Sequence, residues 1–250
     1  MSNLHCPVCS ATCSLLDVVD FNKSCEEVRG NFLNLSGIPV YYALCSQCGF
    51  CFAPELMNWE AEKFKENIYN DKYITVDPDY IEARPRANAT NLISIFGERA
   101  HSFRHLDYGG GDGLMAKILR ASNWQSSSYD PLVTRDSEMR QFGKFELITA
   151  FEVFEHVPDV QVLMSNLRIL LASNGLVLFS TLLSDGNIRA GQRLSWWYAS
   201  PRNGHISLYS RKSLATLAHH HGFKFGSFSE GFHFFYTNVP HWAEHIIRVG

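Results

Sequence analysis

The sequence lacks any hydrophobic run long enough to cross a bilayer, and it lacks an excess of basic residues. Its longest apolar stretches, such as 176–183, fall far short of the roughly 20 residues that a membrane-spanning helix needs. The formal net charge of the 250-residue chain is -3, which indicates no basic surface for nucleic acid or anionic lipid. The N-terminus has neither the charged nor the apolar region of a secretory signal. We therefore expect a cytoplasmic protein with no membrane span.

Cysteine is absent from the last 199 residues of the chain. All seven cysteines lie near the N-terminus, at Cys6, Cys9, Cys13, Cys25, Cys45, Cys48 and Cys51. An odd number in a reducing compartment argues against a disulfide framework. With 46% hydrophobic and 19% charged residues, the chain can bury a core and is not disordered. The clustering of the thiols therefore favours a metal site.

Two C-x-x-C pairs have the spacing that is typical of structural zinc sites. The predicted ligands are Cys6, Cys9, Cys45 and Cys48. Glycine follows the second pair, where it relieves crowding near the sulfurs, whereas serine follows the first. Cys13 and Cys51 offer competing ligands, and free reduced thiols in a small core are the alternative to a metal. A four-thiolate site has no open position, so the predicted zinc serves folding rather than catalysis.

Periodicity and composition divide the chain into three predicted segments. These are a zinc-ribbon segment at 1–55, a helical connector at 56–100 and a nucleotide-binding domain at 101–250. The ribbon would hold strands at 14–19 and 39–44. Apolar residues recur at helical spacing over 56–70, and a second helix is expected over 78–97. The dense tyrosines of the connector indicate either ordinary packing or a lid.

A glycine-rich turn between a predicted buried strand and a predicted helix carries the most information. Glycines at 109, 111 and 113 allow a tight turn and a close approach of a ligand to the backbone. The pattern departs from the dinucleotide fingerprint, because leucine stands where the last glycine would be. Asp107, at the end of the strand, suits a ligand with an ammonium or sulfonium group. Asp130, after the next strand, is placed for the two hydroxyls of a ribose.

Four motifs follow one another between residues 103 and 230. They are Leu106–Gly113 (LDYGGGDG), Phe145–Asp159 (with EVFEHVPD), Leu170–Thr181, and Gly204–Leu214 with Gly222–Phe223 after it. Together they resemble the class I S-adenosylmethionine-dependent methyltransferases, of the methyltransferase-23/UbiG-like group. The resemblance implies an α/β fold, a Rossmann-like class I methyltransferase sheet with helices on both faces, with the small zinc ribbon preceding it.

The resemblance also implies a set of cofactor-binding residues for S-adenosylmethionine. These are Asp107, Gly109, Gly111, Asp130, Phe151 and Glu152. Asp107 and the two glycines would line the methionine end, and Asp130 would hold the ribose, with a turn or cap role as its alternative. Phe151 and Glu152 would lie beside the cofactor, near the acceptor.

The chain departs from the family between Asp130 and Glu146, which are separated by only 15 residues. The family normally has a helix and a third strand in this interval. We therefore expect a shortened helix and a missing or vestigial third strand. No residue is assigned to the adenine, although Asp136 and Glu138 are available.

Transfer of a methyl group to a hydroxyl needs a base, and histidine suits that role at neutral pH. The two predicted catalytic residues are His156, which follows the fourth strand on the family's acceptor side, and His205, which precedes a Tyr-Ser turn. Each has a structural alternative. His156 would order the start of a helix, and His205 would make a loop hydrogen bond.

The predicted function is methyl transfer to a small-molecule acceptor, at a hydroxyl or carbon of a sugar, a nucleotide sugar or a surface glycan precursor. Adjacent aromatic residues at 196–198 cannot all face one core, and they would either offer a sugar a stacking platform or form an aromatic clamp against the N-terminal helices. One alternative is an RNA methyltransferase with a zinc-ribbon reader, but residues 1–55 carry two basic and five acidic side chains. The other is a non-catalytic, methyltransferase-like binding module. We expect no nucleic-acid partner.

Overall fold

The computed structural model describes residues 4–133, 139 and 141–247. The chain forms two compact units, each assembled from separated segments. The first unit takes the chain up to Pro78, then Phe154–Leu163 and Thr181–Leu217. The second takes Asp79–Val153, Met164–Ser180 and the chain from Ala218 onward. No helix among the described residues is long and apolar enough to cross a membrane.

An antiparallel four-stranded sheet forms the basis of the first unit. Its strands are β1 Cys13–Asp20, β2 Pro39–Cys45, β3 Cys51–Phe52 and β8 Ser207–Leu208, in the order β1-β2-β3-β8. β1 and β2 pair from Cys13 opposite Cys45 to Asp20 opposite Pro39, close to the strand limits predicted from the sequence. Alternating exposure at the start of β2 buries Val40 and Tyr42 on one face, as a half-buried strand requires.

Residues from late in the sequence complete the core of the first unit. Tyr198 and Ile206 belong to the same buried cluster as Tyr42 and Phe64, which is carried by helix α1, Ala61–Asn67. β3 has only two residues, and β8 covers its second edge with Ser207 opposite Phe52. The compact units therefore differ from the sequence-derived divisions after residues 55 and 100, because strand pairing joins segments that are far apart in the chain.

The second unit contains a six-stranded sheet in the order β5-β4-β6-β7-β10-β9. Its strands are β4 Arg104–Tyr108, β5 Gln125–Tyr129, β6 Phe145–Phe151, β7 Leu171–Ser180, β9 Lys224–Ser227 and β10 Phe232–Tyr236. β5, β4, β6 and β7 are parallel, and β10 is antiparallel to both of its neighbours. The carboxyl ends of the parallel strands therefore lie along one edge of the sheet, where ligands bind in open α/β sheets.

The remaining helices of the described residues are α2 Ala83–Phe96, α3 Leu114–Ala121, α4 Val160–Leu170 and α5 Arg211–His220. Short 3₁₀ segments occur at Cys25–Arg29, Leu56–Asn58, Tyr73–Thr75, Gly97–Ser102, Phe154–His156, Pro201–Asn203 and His241–Ala243. α3 buries Met115 and Leu119, one turn apart, so that it packs by a single apolar face. α2 starts later than the predicted residue 78 and holds Pro85 in its first turn, where the missing N–H is not needed.

The interval between β5 and β6 agrees with the expected shortening as far as it is described. Among the described residues between Tyr129 and Phe145 no strand is present, and β5 is an edge strand of the sheet. Asp136 and Glu138 lie outside the described residues.

Candidate functional site

The four predicted zinc ligands form one cluster in the first unit. The sulfur of Cys6 lies 3.6 Å from that of Cys48, and the sulfur of Cys9 lies 3.5 Å from that of Cys45. All four sulfurs lie within 4.8 Å of one another. A tetrahedral zinc with bonds of about 2.3 Å would separate its sulfurs by about 3.8 Å, so the donor set fits this ion. The close contact with Cys48 lowers the pKa of Cys6, which favours its thiolate form.

Two similar turns present these sulfurs. In the first, the N–H of Ser10 donates to the carbonyl of Cys6 at 2.9 Å, and in the second Gly49 donates to Cys45 at 2.9 Å. Ser10 and Gly49 both have left-handed backbones, with φ of 62° and 73°. A Cβ atom at Gly49 would lie 2.9 Å from the hydroxyl oxygen of Ser210, which explains why only the second turn requires glycine.

The two competing cysteines are not among the four clustered sulfurs, although Cys13 interacts with Cys6 and Cys45. Cys51 is fully buried in β3, where it pairs with Leu208 of β8. Cys13 starts β1, and its thiol donates to the carbonyl of Ala11 at 3.7 Å. Of the two ligand registers that the sequence left open, the geometry therefore favours the set without Cys13 and Cys51.

The glycine-rich turn lies at the carboxyl end of β4 in the second unit. Gly109, Gly111 and Gly113 have φ values of 77°, 56° and 79°, a region that side chains disfavour. Gly113 caps α3, and its N–H donates to the carbonyl of Gly110 at 2.9 Å. A Cβ atom at Gly109 would lie 2.5 Å from a methyl carbon of Val153. At Gly111 nothing lies within 4 Å of a Cβ position, so this part of the loop is open to a ligand.

Asp130 is held beside the loop by backbone donors. Its two carboxylate oxygens accept hydrogen bonds from the N–H of Gly111 at 3.0 Å and from the N–H of Leu132 at 2.8 Å. A carboxylate has about four lone-pair positions, so two remain for other donors. This arrangement suits two adjacent ribose hydroxyls, and it also includes the turn bond that was the structural alternative for Asp130.

Asp107 is buried beneath the loop, with 4% of its surface exposed. Its Oδ1 accepts a hydrogen bond from the hydroxyl of Thr149 at 3.3 Å. Its Oδ2 lies 2.5 Å from the Cβ position of Gly110, so the carboxylate faces the glycine turn. Burial, together with the negative charge of Asp130, raises the pKa of Asp107 to about 7.

Glu152 follows β6 in a strained conformation. Its φ is 52°, which is uncommon for a residue other than glycine. Its N–H donates to the Ser180 hydroxyl at 2.8 Å, and that hydroxyl donates to the Glu152 carboxylate at 2.7 Å. These two hydrogen bonds between Glu152 and Ser180 hold the strained backbone at the end of a central strand. Backbone strain often occurs at functional sites. Phe151 is half-buried beside it and packs against Phe232 with ring centroids 6.0 Å apart.

The two predicted catalytic histidines meet in the first unit, although 48 residues of sequence lie between them. Their ring centroids are 4.8 Å apart. The Nδ1–H of His205 donates to the carbonyl of Tyr198 at 2.8 Å, which places the lone pair of the neutral ring on Nε2. Nδ1 of His156 lies 3.1 Å from the hydroxyl oxygen of Tyr69. The loop hydrogen bond expected as the alternative for His205 is therefore present alongside the pairing.

Sequence reasoning missed two members of this cluster, Glu155 and Tyr69. Glu155 is fully buried, and its Oε1 accepts a hydrogen bond from the hydroxyl of Tyr198 at 2.6 Å and lies 3.9 Å from Nε2 of His156. The signal for Glu155 was its place beside His156 in the EVFEHV motif. No local pattern distinguishes Tyr69 from the other tyrosines of the connector, because its partners are distant in sequence.

Glu155, His156 and His205 also make up a set that could hold a divalent cation. Their ligand atoms lie within 4.8 Å of one another, and a carboxylate with two imidazoles suits several transition metals. Such an ion would compete with the bonds that Tyr198 and Tyr69 make to the same side chains.

The aromatic triplet at 196–198 does not form the expected platform. Trp196 and Tyr198 are buried in the core of the first unit, with 8% and 2% of their surfaces exposed, whereas Trp197 is 36% exposed. Lys23 helps to order this segment, because its ammonium group donates to the carbonyls of Trp196 and Ala199 at 2.8 Å each. One ring of the three is therefore available to a ligand.

Comparison with known families gives one match over most of the chain. A family model described as a methyltransferase domain (Methyltransf_23) matches residues 80–226 of the 250. The matched region includes the glycine-rich turn and both catalytic candidates, His156 and His205. No curated protein sequence matches the chain.

Comparison with solved structures finds several methyltransferases, of which one is similar enough to show the fold. An O-methyltransferase family protein from Burkholderia thailandensis has a TM-score of 0.51 at 12% identity, over 75% of this chain and 67% of that chain. The pyocyanin biosynthetic protein PhzM has a TM-score of 0.47 at 15% identity, over 69% and 63%. The 1,6-didemethyltoxoflavin-N1-methyltransferase of B. thailandensis, with S-adenosylhomocysteine bound, has a TM-score of 0.47 at 15% identity, over 76% and 95%. The first likeness confirms the predicted α/β fold class.

Proposed function

The chain belongs to the methyltransferase domain family of class I S-adenosylmethionine-dependent enzymes, and from this we propose that it transfers a methyl group from S-adenosylmethionine to a small-molecule acceptor. The observation that carries the proposal is the glycine-rich turn at the carboxyl end of β4. There an open backbone at Gly111 lies between two acids, Asp107 below and Asp130 beside it. This is the edge of a parallel sheet at which nucleotide ligands bind.

The residues proposed to hold the cofactor are Asp107, Gly109, Gly111, Asp130, Phe151 and Glu152. The buried Asp107 carboxylate would accept the ammonium group of the methionine part, and Asp130 would accept the ribose hydroxyls with its two remaining positions. The bound cofactor supplies an activated methyl group on its sulfonium, so the protein mainly has to align the acceptor and exclude water. Gly109 and Gly111 allow the backbone to approach the ligand without a side chain in the way.

The proposed base lies in the cluster of His156, His205 and Glu155. Nε2 of His205 carries the lone pair, because Nδ1 is committed to the carbonyl of Tyr198. It would accept the proton of an acceptor hydroxyl, and the buried Glu155 carboxylate would stabilise the resulting positive charge on the histidine pair. His156, held by Tyr69, would orient the acceptor or share the proton.

The proposed acceptor is a hydroxyl or carbon of a sugar, a nucleotide sugar or a surface glycan precursor. A histidine base supports a hydroxyl acceptor, and the exposed ring of Trp197 offers one stacking face to a sugar. We propose the reducing cytoplasm as the location, because the four clustered cysteines bind a metal only as reduced thiolates.

We propose that Cys6, Cys9, Cys45 and Cys48 bind one structural zinc. The sulfur separations support this ion, and four protein thiolates leave no position for a substrate or a reactive water. The zinc would therefore stabilise the first sheet through its two turns without taking part in the methyl transfer.

Native mass spectrometry of the purified protein tests both ligands in one measurement. The expected spectrum shows one zinc per chain and a further mass shift when S-adenosylhomocysteine is added. Failure to bind S-adenosylhomocysteine would exclude the enzyme and favour the non-catalytic binding module. Candidate nucleotide sugars, screened in the same format for a methylated product in the presence of S-adenosylmethionine, then identify the acceptor class.

Substitution of the histidines separates the base from the cofactor site. We expect His156→Asn and His205→Gln each to lower turnover by about 100-fold or more, the usual contribution of a positioned base, while the affinity for S-adenosylhomocysteine stays the same. Turnover at the wild-type level in both variants would exclude the cluster as the base.

A further inference from the structure

The interior of the parallel sheet contains polar side chains where apolar ones are the rule. Strands that are buried on both faces normally read as continuous hydrophobic runs. Here His105, Ser126 and Thr149, on three adjacent strands, have 0%, 5% and 0% of their surfaces exposed. A buried polar group without a hydrogen-bond partner costs stability, so such a group needs a satisfied network.

Strand register brings these side chains together with Asp107. His105 of β4 lies opposite Ser126 of β5, and Asp107 lies opposite Thr149 of β6. His105 and Asp107 are two residues apart on β4, so they share one face of the sheet. The result is a continuous row of four polar side chains that ends at the carboxylate beneath the glycine-rich turn.

The hydrogen bonds in this row have a single direction. Burial lowers the pKa of His105 to about 3, so its ring is neutral and carries one N–H. When Asp107 is ionised, the Thr149 hydroxyl donates to its carboxylate, so at its 2.9 Å contact with Nε2 of His105 the hydroxyl can only accept. Nε2 therefore carries the hydrogen, and Nδ1 accepts from the Ser126 hydroxyl at 2.8 Å. Every donor in the row points toward Asp107.

We propose that His105 is a positioning residue for the Asp107 carboxylate, acting through Thr149, in binding the amino-acid end of S-adenosylmethionine. This inference rests on the proposed function and adds a residue to it. The Thr149 hydroxyl can turn toward Asp107 because His105 occupies its lone pair, and Thr149 also lies 3.5 Å from the carbonyl of Leu106 as a competing acceptor. Without His105, the hydroxyl is free to turn away and the carboxylate loses its oriented donor.

The test compares two ligands that differ only in the part that Asp107 would bind. S-adenosylhomocysteine carries the amino-acid group, and 5′-methylthioadenosine lacks it. Dissociation constants for both are measured by calorimetry on the full chain, with His105→Leu and Thr149→Val as the disrupting variants. His105→Gln is the rescue variant, because its amide offers both a donor and an acceptor. Ser127→Ala, next to Ser126 but on the opposite face of β5, is the matched control.

We expect His105→Leu and Thr149→Val to weaken S-adenosylhomocysteine about tenfold, the value of one hydrogen bond to a charged group. The affinity for 5′-methylthioadenosine should stay within about twofold of wild type, because this ligand lacks the group to which Asp107 would hydrogen-bond. His105→Gln should recover most of the loss, and Ser127→Ala should behave as wild type. Thermal unfolding of each variant reports any general loss of structure.

Two results would overturn the inference alone. One is an equal weakening of both ligands in the disrupting variants, which would mean that His105 only supports the loop. The other is an unchanged affinity for S-adenosylhomocysteine in both of them. Wild-type protein that binds neither ligand would overturn the proposed function and this inference with it.

Discussion

At the residue scale, Asp107 would make binding of the proposed cofactor depend on pH. Its pKa in the free protein is raised to about 7, first by burial and further by the neighbouring Asp130, while the Thr149 hydroxyl opposes the shift. In the proposed complex, the ammonium group of the ligand needs the ionised carboxylate, so a protonated Asp107 must lose its proton before the ligand binds. Because burial raises the pKa of Asp107, we expect the ligand to bind more weakly below about pH 7, where the carboxyl group is protonated.

We predict that the affinity for S-adenosylhomocysteine falls about tenfold between about pH 8 and pH 6, because protonation of Asp107 competes with binding. Calorimetry across this range, in buffers of different ionisation enthalpy, measures both the affinity and the proton released. Asp107→Asn should bind weakly at every pH and release no proton. A pH-independent affinity in the wild type would contradict the role given to this carboxylate.

Gly204 is a residue whose backbone conformation allows the histidine cluster to pack closely. Its φ is 88°, and a Cβ atom there would lie 2.7 Å from the hydroxyl oxygen of Tyr69 and 3.1 Å from Nδ1 of His156. The close approach of backbone, tyrosine and histidine is possible only because the side chain is missing. Gly186 has a similar φ of 80° with nothing within 4 Å of its Cβ position, so it offers the same strain without the contact.

We predict that Gly204→Ala destabilises the protein by about 1–3 kcal/mol and lowers turnover, because it strains the backbone and displaces His156. Gly186→Ala should show only the backbone strain, of about 1 kcal/mol, and unchanged turnover. Denaturant unfolding and a methyl-transfer assay measure the two effects. Equal turnover in the two variants would show that the Tyr69–His156 contact does not matter for catalysis.

At the scale of elements, the two cysteine turns lie next to the paired ends of β1 and β2. The second pair spans the end of β2 and the turn after it, and β1 starts at Cys13, opposite Cys45. An ion held by both turns would fix the register at the point where the two strands meet.

We predict that Cys45→Ser removes the zinc and lowers the free energy of unfolding by more than about 4 kcal/mol, the range seen for loss of a metal. Cys13→Ser is the control, since Cys13 is not one of the four proposed ligands and this variant should keep the zinc. Metal content by mass spectrometry and thermal unfolding give the two results. A zinc-free wild type with ordinary stability would instead support the alternative of reduced thiols in a small core.

Elements with a strong local pattern were predicted well, and elements without one were not. β1 and β2 appear close to their predicted limits, and α3 follows the glycine-rich turn as predicted, because alternation and helical spacing are local signals. The helix predicted over 56–70 is shorter, Ala61–Asn67, because Trp59 has an extended backbone that interrupts it. The apolar residues before that point pack into the core without forming a longer helix.

At the scale of the whole molecule, the negative net charge argues against nucleic-acid binding and for a small-molecule acceptor. The net charge of -3 and the acidic ribbon give little attraction for phosphates. We predict that single-stranded RNA binds with a dissociation constant above about 100 µM at about 150 mM salt, the weak end of non-specific binding. Fluorescence anisotropy measures this affinity. Tighter, strongly salt-dependent binding would favour the RNA methyltransferase.

The division into units was also decided by the whole fold. The late segment from Thr181 to Leu217 contributes β8 and the buried residues Tyr198 and Ile206 to the first unit. Sequence boundaries placed it in the last segment, because the family motifs continue through it to Phe223. The strand that pairs with β3 is determined by backbone hydrogen bonding and by burial in a common core, and neither can be read from a local sequence pattern.

The sequence by itself determined the parts of this protein that depend on spacing within a short stretch. The paired cysteines, the glycine-rich turn with Asp107 and Asp130, and the motif order that indicates the family all belong to this class, because turns and strand ends are local structures. Only the tertiary structure brought together His156 and His205, and only strand register aligned Ser126, His105, Thr149 and Asp107. These contacts depend on which strands pair and in what register, and that is decided by packing across the whole chain.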